Sequence, residues 1–148
     1  MILFGNVEHA RTIAHRAGSG FDPEINYCIS RTDKVGELLG GVIYTNYTGR
    51  SVMGHIAGFA PRWLTPQMMF VIHDFPFNLL KVERIFVTVP TPNERSLSVA
   101  EKMGFAWVTT IPAVVVGGDL DVLSMSRKGC RWLKLAARFS EDQTEHAA

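Results

Sequence analysis

The sequence predicts a mixed α/β fold (α+β in its layering): a twisted, mostly antiparallel sheet with one parallel pair of strands, flanked by helices. Three observations carry that expectation. Residues 26–59 hold three segments of period-two character separated by short turns, which makes them antiparallel neighbours. Between residues 51 and 89 come a strand, a long apolar helix and another strand, the βαβ order that sets its two strands parallel. After a second helix at 93–103, apolar segments at 106–116 and 120–127 flank Gly117-Gly118-Asp119, which reads as a hairpin.

Before the first helix only residues 1–4, MILF, can serve as a strand. Residues 6–17 form a short helix capped by Asn6 and ended by Gly18 and Gly20. Its apolar side, Val7, Ala10, Ile13, Ala14 and Ala17, has helical spacing but little bulk. His9 and His15 fall off that stripe and are expected at the surface. The three candidate strands are NYCISR, LLGGVIYTNY and SVMGHIAGF, with turns at 32–36 and 48–50. Gly40, Gly41, Gly54 and Gly58 lie inside them and imply a bulge or a close backbone approach.

Thr65-Pro66 is a strong helix start, a hydroxyl at the N-cap and proline at the first helical position. Residues 66–80 are apolar nearly all round, as in a helix buried within a fold. Pro76 falls inside that run, where proline costs about 3 kcal/mol, so a break or kink is expected at 74–76. In the next strand Ile85, Val87 and Val89 alternate with Phe86 and Thr88, the pattern of a strand buried on both faces. Pro90 and Pro92 stop it. Asn93 caps the following helix, Glu94 lies in the first turn and Gly104 ends it. Asn93, Ser96, Val99, Ala100 and Met103 share one face, with the polar pair at the strand-proximal end. The carboxyl ends of parallel strands are where α/β folds bind ligands. In the last segment, CRWLKLAARF, Trp132, Leu135, Ala136 and Phe139 make one stripe that packs on its own sheet or on a partner subunit. Residues 1–139 are expected to form a single domain, with 140–148 a polar, frayed tail.

Composition narrows the function classes. The 148 residues are 47% hydrophobic and 20% charged, with formal net charge +1, so no global field recruits nucleic acid or an anionic membrane. The longest apolar run is far short of the ~20 residues a membrane helix needs. No basic segment followed by an apolar core begins the chain, so no signal peptide is expected. Two cysteines, Cys28 and Cys130, are too few for a disulfide framework, and a reduced cytoplasmic protein is expected. No His/Cys/Asp/Glu grouping has metal-ligand spacing, so no metal is expected, and no Ser-His-Asp or G-x-S-x-G signature appears.

One pattern is more specific. Asn93, Ser96, Lys102, Gly104 and Phe105, as N-x-x-S-x-x-x-x-x-K-x-G-F, resemble the fourth helix of the GCN5-related N-acetyltransferases, the GNAT superfamily. With serine at the fourth position the chain looks most like the ribosomal-protein N-terminal acetyltransferase branch. The segment GGDLDVLSMSRKGCRWL is similar to the end of small, often phage-encoded members. The resemblance covers roughly residues 26–133 and is most specific over 84–133. It implies a sheet whose parallel pair splays to admit acetyl-CoA. It also implies acetyl transfer from that co-substrate to a primary amine, on a small molecule or a peptide or protein N-terminus, by direct attack in a ternary complex. Dimers are common in the family, and the segment before the first helix looks abbreviated beside it. A non-catalytic CoA-fold interaction or regulatory protein is the alternative.

Residues are assigned on that basis. In the family the turn at 59–66 holds the pyrophosphate through a glycine-rich loop; here it reads Arg62-Trp63-Leu64-Thr65-Pro66, without glycine. Arg62, Trp63, Leu64 and Thr65 are the candidate diphosphate residues, because a helix first turn presents unpaired N–H groups and partial positive charge. Backbone groups of Ala57, Gly58 and Phe59 are expected to pair with the pantetheine arm as an added strand would. Ser96 resembles the serine that hydrogen-bonds the departing thiolate; its other reading is a first-turn serine bonded to nearby backbone. Most members place a tyrosine four residues later, where this chain has Ala100. Asn93 either caps the helix alone or also touches the cofactor. His55, on the third candidate strand, is the candidate base or a structural histidine.

Overall fold

The computed structural model describes residues 1–139; the tail at 140–148 lies outside the described residues. A seven-stranded sheet runs through them in the order β1-β2-β3-β4-β5-β7-β6, with β1 Ile2–Phe4, β2 Tyr27–Thr32, β3 Leu38–Thr45, β4 Ser51–Gly58, β5 Arg84–Pro90, β6 Ala106–Val115 and β7 Gly118–Ser126. All neighbours are antiparallel except β4 and β5, the pair joined through a buried helix. Helix α1 (Val7–Ala17) starts at Asn6, whose side chain accepts from the His9 amide, and ends at Gly18 in the left-handed region. Helices α2 (Pro66–Asp74) and α3 (Glu94–Met103) are capped by Thr65 and Asn93, as their sequences imply.

The sheet separates two cores. On one face α1 buries Ala10, Ile13 and Ala14 against Cys28, Ile43 and Ala57. The other face carries the larger cluster, in which α2 and α3 cover Val42, Val52, Ile85, Val87 and Leu123. At about 1.5–3 kcal/mol for each large aliphatic or aromatic side chain buried, this second cluster dominates the stability. The C-terminal stripe packs on the same core: Trp132 stacks on His73 at 6.1 Å and donates to the Met103 carbonyl at 2.7 Å.

Two sequence features find their physical reasons here. Gly40 and Gly58 face each other across β3 and β4, and the Trp63 indole lies flat over both. A Cβ at Gly40 would come within 2.3 Å of that ring, and one at Gly58 within 2.2 Å. The α-helical pattern ends at Asp74, within the 74–76 interval where Pro76 implied a break or kink. The chain passes from α2 into a π-helical turn, Phe75–Leu79. Pro76 has no N–H to give the Ile72 carbonyl four residues back, and the Tyr44 hydroxyl donates to that carbonyl instead.

Candidate functional site

The parallel pairing of β4 with β5 is short. It joins Ser51 to Arg84, Val52 to Ile85 and Met53 to Phe86, and goes no further. Beyond it the strands part, leaving the β5-facing edge of residues 54–58 without a strand partner among the described residues, and a cavity of about 440 Å³ opens between them. Strand alternation assigns its walls. Ala57 belongs to the core under α1, so His55, two residues away, faces the same side. Val87 and Val89, with Val99, Ala100 and Met103 of α3, close the opposite side. Arg16 and Ala17 at the end of α1 and Ser96 at the start of α3 line the same cavity, so the gap reaches both faces of the sheet.

Most of the candidate residues meet here. His55, Ala57, Gly58, Trp63, Leu64, Asn93 and Ser96 all line the cleft. Phe59, Arg62 and Thr65 do not. The Phe59 amide is held by the Leu39 carbonyl at 2.9 Å, continuing the β3 side of the strand. The Thr65 amide is bonded to the Trp63 carbonyl at 3.0 Å, and its hydroxyl accepts from the Met68 amide at 3.2 Å. Pro66 has no N–H. The amides of Arg62, Trp63 and Leu64 have no acceptor among the described residues, and of these three Trp63 and Leu64 line the cleft. Arg62 adopts a left-handed backbone, φ 60°, supplying without glycine the reversal such a turn needs.

Two cationic residues in the lining, Arg16 and Arg95, were not among the candidates. Arg95 adjoins Ser96 in the first turn of α3, and scanning that turn for charge as well as for apolar spacing would have found it. Arg16 reaches the cleft only through the packing of α1 on the sheet, and its guanidinium lies 5.5 Å from the Phe59 ring; no local pattern signals that. No carboxylate lines the cleft among the described residues. Nor does any of the tyrosines: Tyr44 is buried, and the Tyr47 hydroxyl donates to the Leu80 carbonyl.

Electrostatics separate the polar side chains. His55 Nε2 lies 2.8 Å from Thr45 Oγ1, and burial pulls its pKa below the usual value of 6.5, which leaves the ring neutral at pH 7. Asn93 Oδ1 accepts from the Ser96 amide at 3.1 Å, while the Ser96 hydroxyl has no bonded partner among the described residues. Burial pushes the Cys28 thiol up to about 12 and the Cys130 thiol upward too. Beyond His55 the α1 face holds a shallower pocket, shared by His55 and lined also by Asp22, Asn26, Thr45, Asn46 and Met53. No group of His, Cys, Asp and Glu among the described residues is placed to hold a metal ion, and no helix is long and apolar enough to cross a membrane.

No family model matches the sequence, and no curated protein matches it. Solved structures do. A variant of spermidine N-acetyltransferase SpeG from Vibrio cholerae superposes with TM-score 0.68 at 15% identity, over 92% of this chain and 97% of the other. A further SpeG structure from that organism, with manganese ions, gives 0.63 at 13% identity over 84% and 92%. Ribosomal-protein-S5-alanine acetyltransferase from Vibrio fischeri gives 0.59 at 17% identity over 74% and 64%. With its mixed seven-stranded sheet and its single parallel, splayed pair, this chain has the GNAT acetyltransferase fold.

Proposed function

We propose that the protein is an N-acetyltransferase that takes its acetyl group from acetyl-CoA and passes it to a primary amine by direct attack in a ternary complex. The observation that carries this reading is the through-sheet gap between β4 and β5, with a neutral imidazole on one wall and an unbonded serine hydroxyl on the other. The residues present fit the co-substrate. Among the described residues the lining has two arginines and no carboxylate, which suits a polyanion. The unpaired edge of β4 at 54–58 suits an amide-bearing arm laid against it as an extra strand. Acetyl-CoA supplies a thioester whose thiol, with a pKa of ~8.5, leaves readily near neutral pH.

The chain's own groups divide the remaining work. Trp63 and Leu64 present amides, and Arg95 a charge, toward the diphosphate. In the tautomer whose Nε2–H donates to Thr45 Oγ1, His55 keeps a lone pair on Nδ1 and takes the proton of the attacking amine. The Ser96 hydroxyl donates to the departing sulfur. Positioning outweighs either proton step, since holding two reactants in line is worth about 7–11 kcal/mol. The cysteines support direct attack: neither lines the cleft, and burial keeps both thiols protonated. The shallow pocket beside His55 receives the acceptor. Its single carboxylate, Asp22, suits one ammonium group better than a chain of several.

The test is thiol release from acetyl-CoA with a panel of small amines and peptides, alongside thermal unfolding with and without CoA. Amine-dependent release together with a raised Tm is expected. A raised Tm with no release across the panel identifies a non-catalytic CoA binder; no shift in Tm removes CoA from the account.

A further inference from the structure

The β4–α2 turn has to present two amides without the glycines that make such a turn easy, and a residue far from it in sequence fixes its orientation. Arg31 lies on β2, paired with Gly40 of β3 and so on the face where Trp63 rests. Its Nη1 donates to the Trp63 carbonyl at 2.9 Å and to the Arg62 carbonyl at 3.3 Å. A trans peptide is planar, with C=O and N–H on opposite sides. The plane holding the Arg62 carbonyl carries the Trp63 N–H, and the plane holding the Trp63 carbonyl carries the Leu64 N–H. Drawing both carbonyls toward Arg31 therefore turns both amides away from it. Arg31 does not line the cleft, whereas Trp63 and Leu64 do. The guanidinium also places a full positive charge behind the two peptide dipoles, oriented so that their N–H ends point away from it.

We infer that Arg31 is a positioning residue for diphosphate binding, aiming the Trp63 and Leu64 amides into the cleft from behind the turn. It replaces the backbone freedom of glycine with a side-chain clamp. The left-handed Arg62 and the seat of Trp63 on Gly40 and Gly58 are the other two parts of that arrangement. The inference rests on the acetyl-CoA reading above, and its test separates the two.

The experiment compares Arg31→Ala and Arg31→Lys with the unaltered chain, measuring dissociation constants for CoA and for pantetheine, which carries no phosphate. The unfolding midpoint of each ligand-free variant is recorded alongside. Arg31→Ala is expected to weaken CoA roughly ten- to a hundredfold, the scale of hydrogen bonds to a charged group, and to leave pantetheine unchanged. In turnover the KM for acetyl-CoA rises by a similar factor while kcat stays within about twofold. Arg31→Lys, which keeps the charge and one donor, restores part of the loss. Equal weakening of CoA and pantetheine in both variants makes Arg31 a merely structural residue and overturns the inference, as does unchanged CoA binding in both. Should Arg31→Ala fail to fold, Arg31→Lys decides by the same ratio of CoA to pantetheine. An unaltered chain that binds no CoA overturns the acetyl-CoA reading itself, and this inference with it.

Discussion

Two turns lead from a strand into a capped helix at the mouth of the cleft, and they differ in charge and in the groups they leave available. The β4–α2 turn is held at three points: Trp63 lies on two glycines, Arg31 grips two carbonyls, and Thr65 and Pro66 close the helix start. Its first helical turn has no acidic residue. The β5–α3 turn is tied to the start of β7, where the Thr91 amide donates to the Asp119 carbonyl and the Asp119 amide to the Thr91 hydroxyl; Asn93 caps the helix, Glu94 lies in its first turn, and Ser96 is exposed with its hydroxyl unbonded among the described residues. A binding role for a dianionic group calls for fixed donors and no competing carboxylate. A role in charge transfer calls for a hydroxyl that is still available when charge develops. The difference between the turns suits the division of labour proposed above, in which the first turn supplies the fixed amides and the second supplies Ser96.

Substitutions sharpen the contrast, and the largest effect is expected from the wall between them. His55→Gln should lower kcat/KM for the acceptor by about 10²–10⁴, the range for a lost general base, with little change in the KM for acetyl-CoA. The pH profile checks the assignment. Because burial lowers the His55 pKa, the ring is neutral above that value, and activity should fall only as pH drops through a point below 6.5. The Gln variant should lack that limb, and a profile unaltered by the substitution would remove His55 as the base.

Ser96→Ala comes next, with a loss of kcat of about tenfold to a hundredfold and an unchanged unfolding midpoint. If kcat holds and only the KM for acetyl-CoA moves, the α3 turn binds rather than reacts, and the division fails. Gly58→Ala attacks the other turn. Its Cβ meets the rigid indole, so the variant should lose about 1–3 kcal/mol in denaturant unfolding and lose CoA stabilisation disproportionately. The smallest effect is expected from Asn93→Ala, about 1 kcal/mol of stability by thermal unfolding, since only the cap bond to the Ser96 amide is certain to go.

The sequence made the local architecture of both turns legible and the long-range parts illegible. Caps at Asn6, Thr65 and Asn93 were readable because each needs only its own next three residues. The parallel pair followed from a strand–helix–strand order, and Ser96 and His55 fell on one cleft because their strands and helix were correctly ordered. The glycines signalled close approach at Gly40, Gly41 and Gly58, but not that Trp63 was the visitor at two of them. At Gly54 the nearest atoms stand at an ordinary 3.7 Å, and that glycine has no such role. His9, expected on the surface, has its Nδ1 2.9 Å from the hydroxyl of buried Ser30. Arg16 and Arg31 escaped notice for a common reason. Each acts on residues more than thirty positions away, and nothing in a neighbourhood of ten residues encodes that. The turn at 59–66 lacks the family's glycines, and the tertiary contacts of Trp63 and Arg31 that hold it in shape lie beyond the reach of local propensity.

A seam that opens through a sheet, instead of a bowl scooped into one side, has a kinetic consequence. On the proposed reading the acyl donor and the nucleophile enter from opposite faces, so neither blocks the other's approach, and a molecule joining the two by a short tether should plug both at once. Initial-rate patterns ought then to intersect, with each reactant able to arrive first, and such a tethered compound should compete against both.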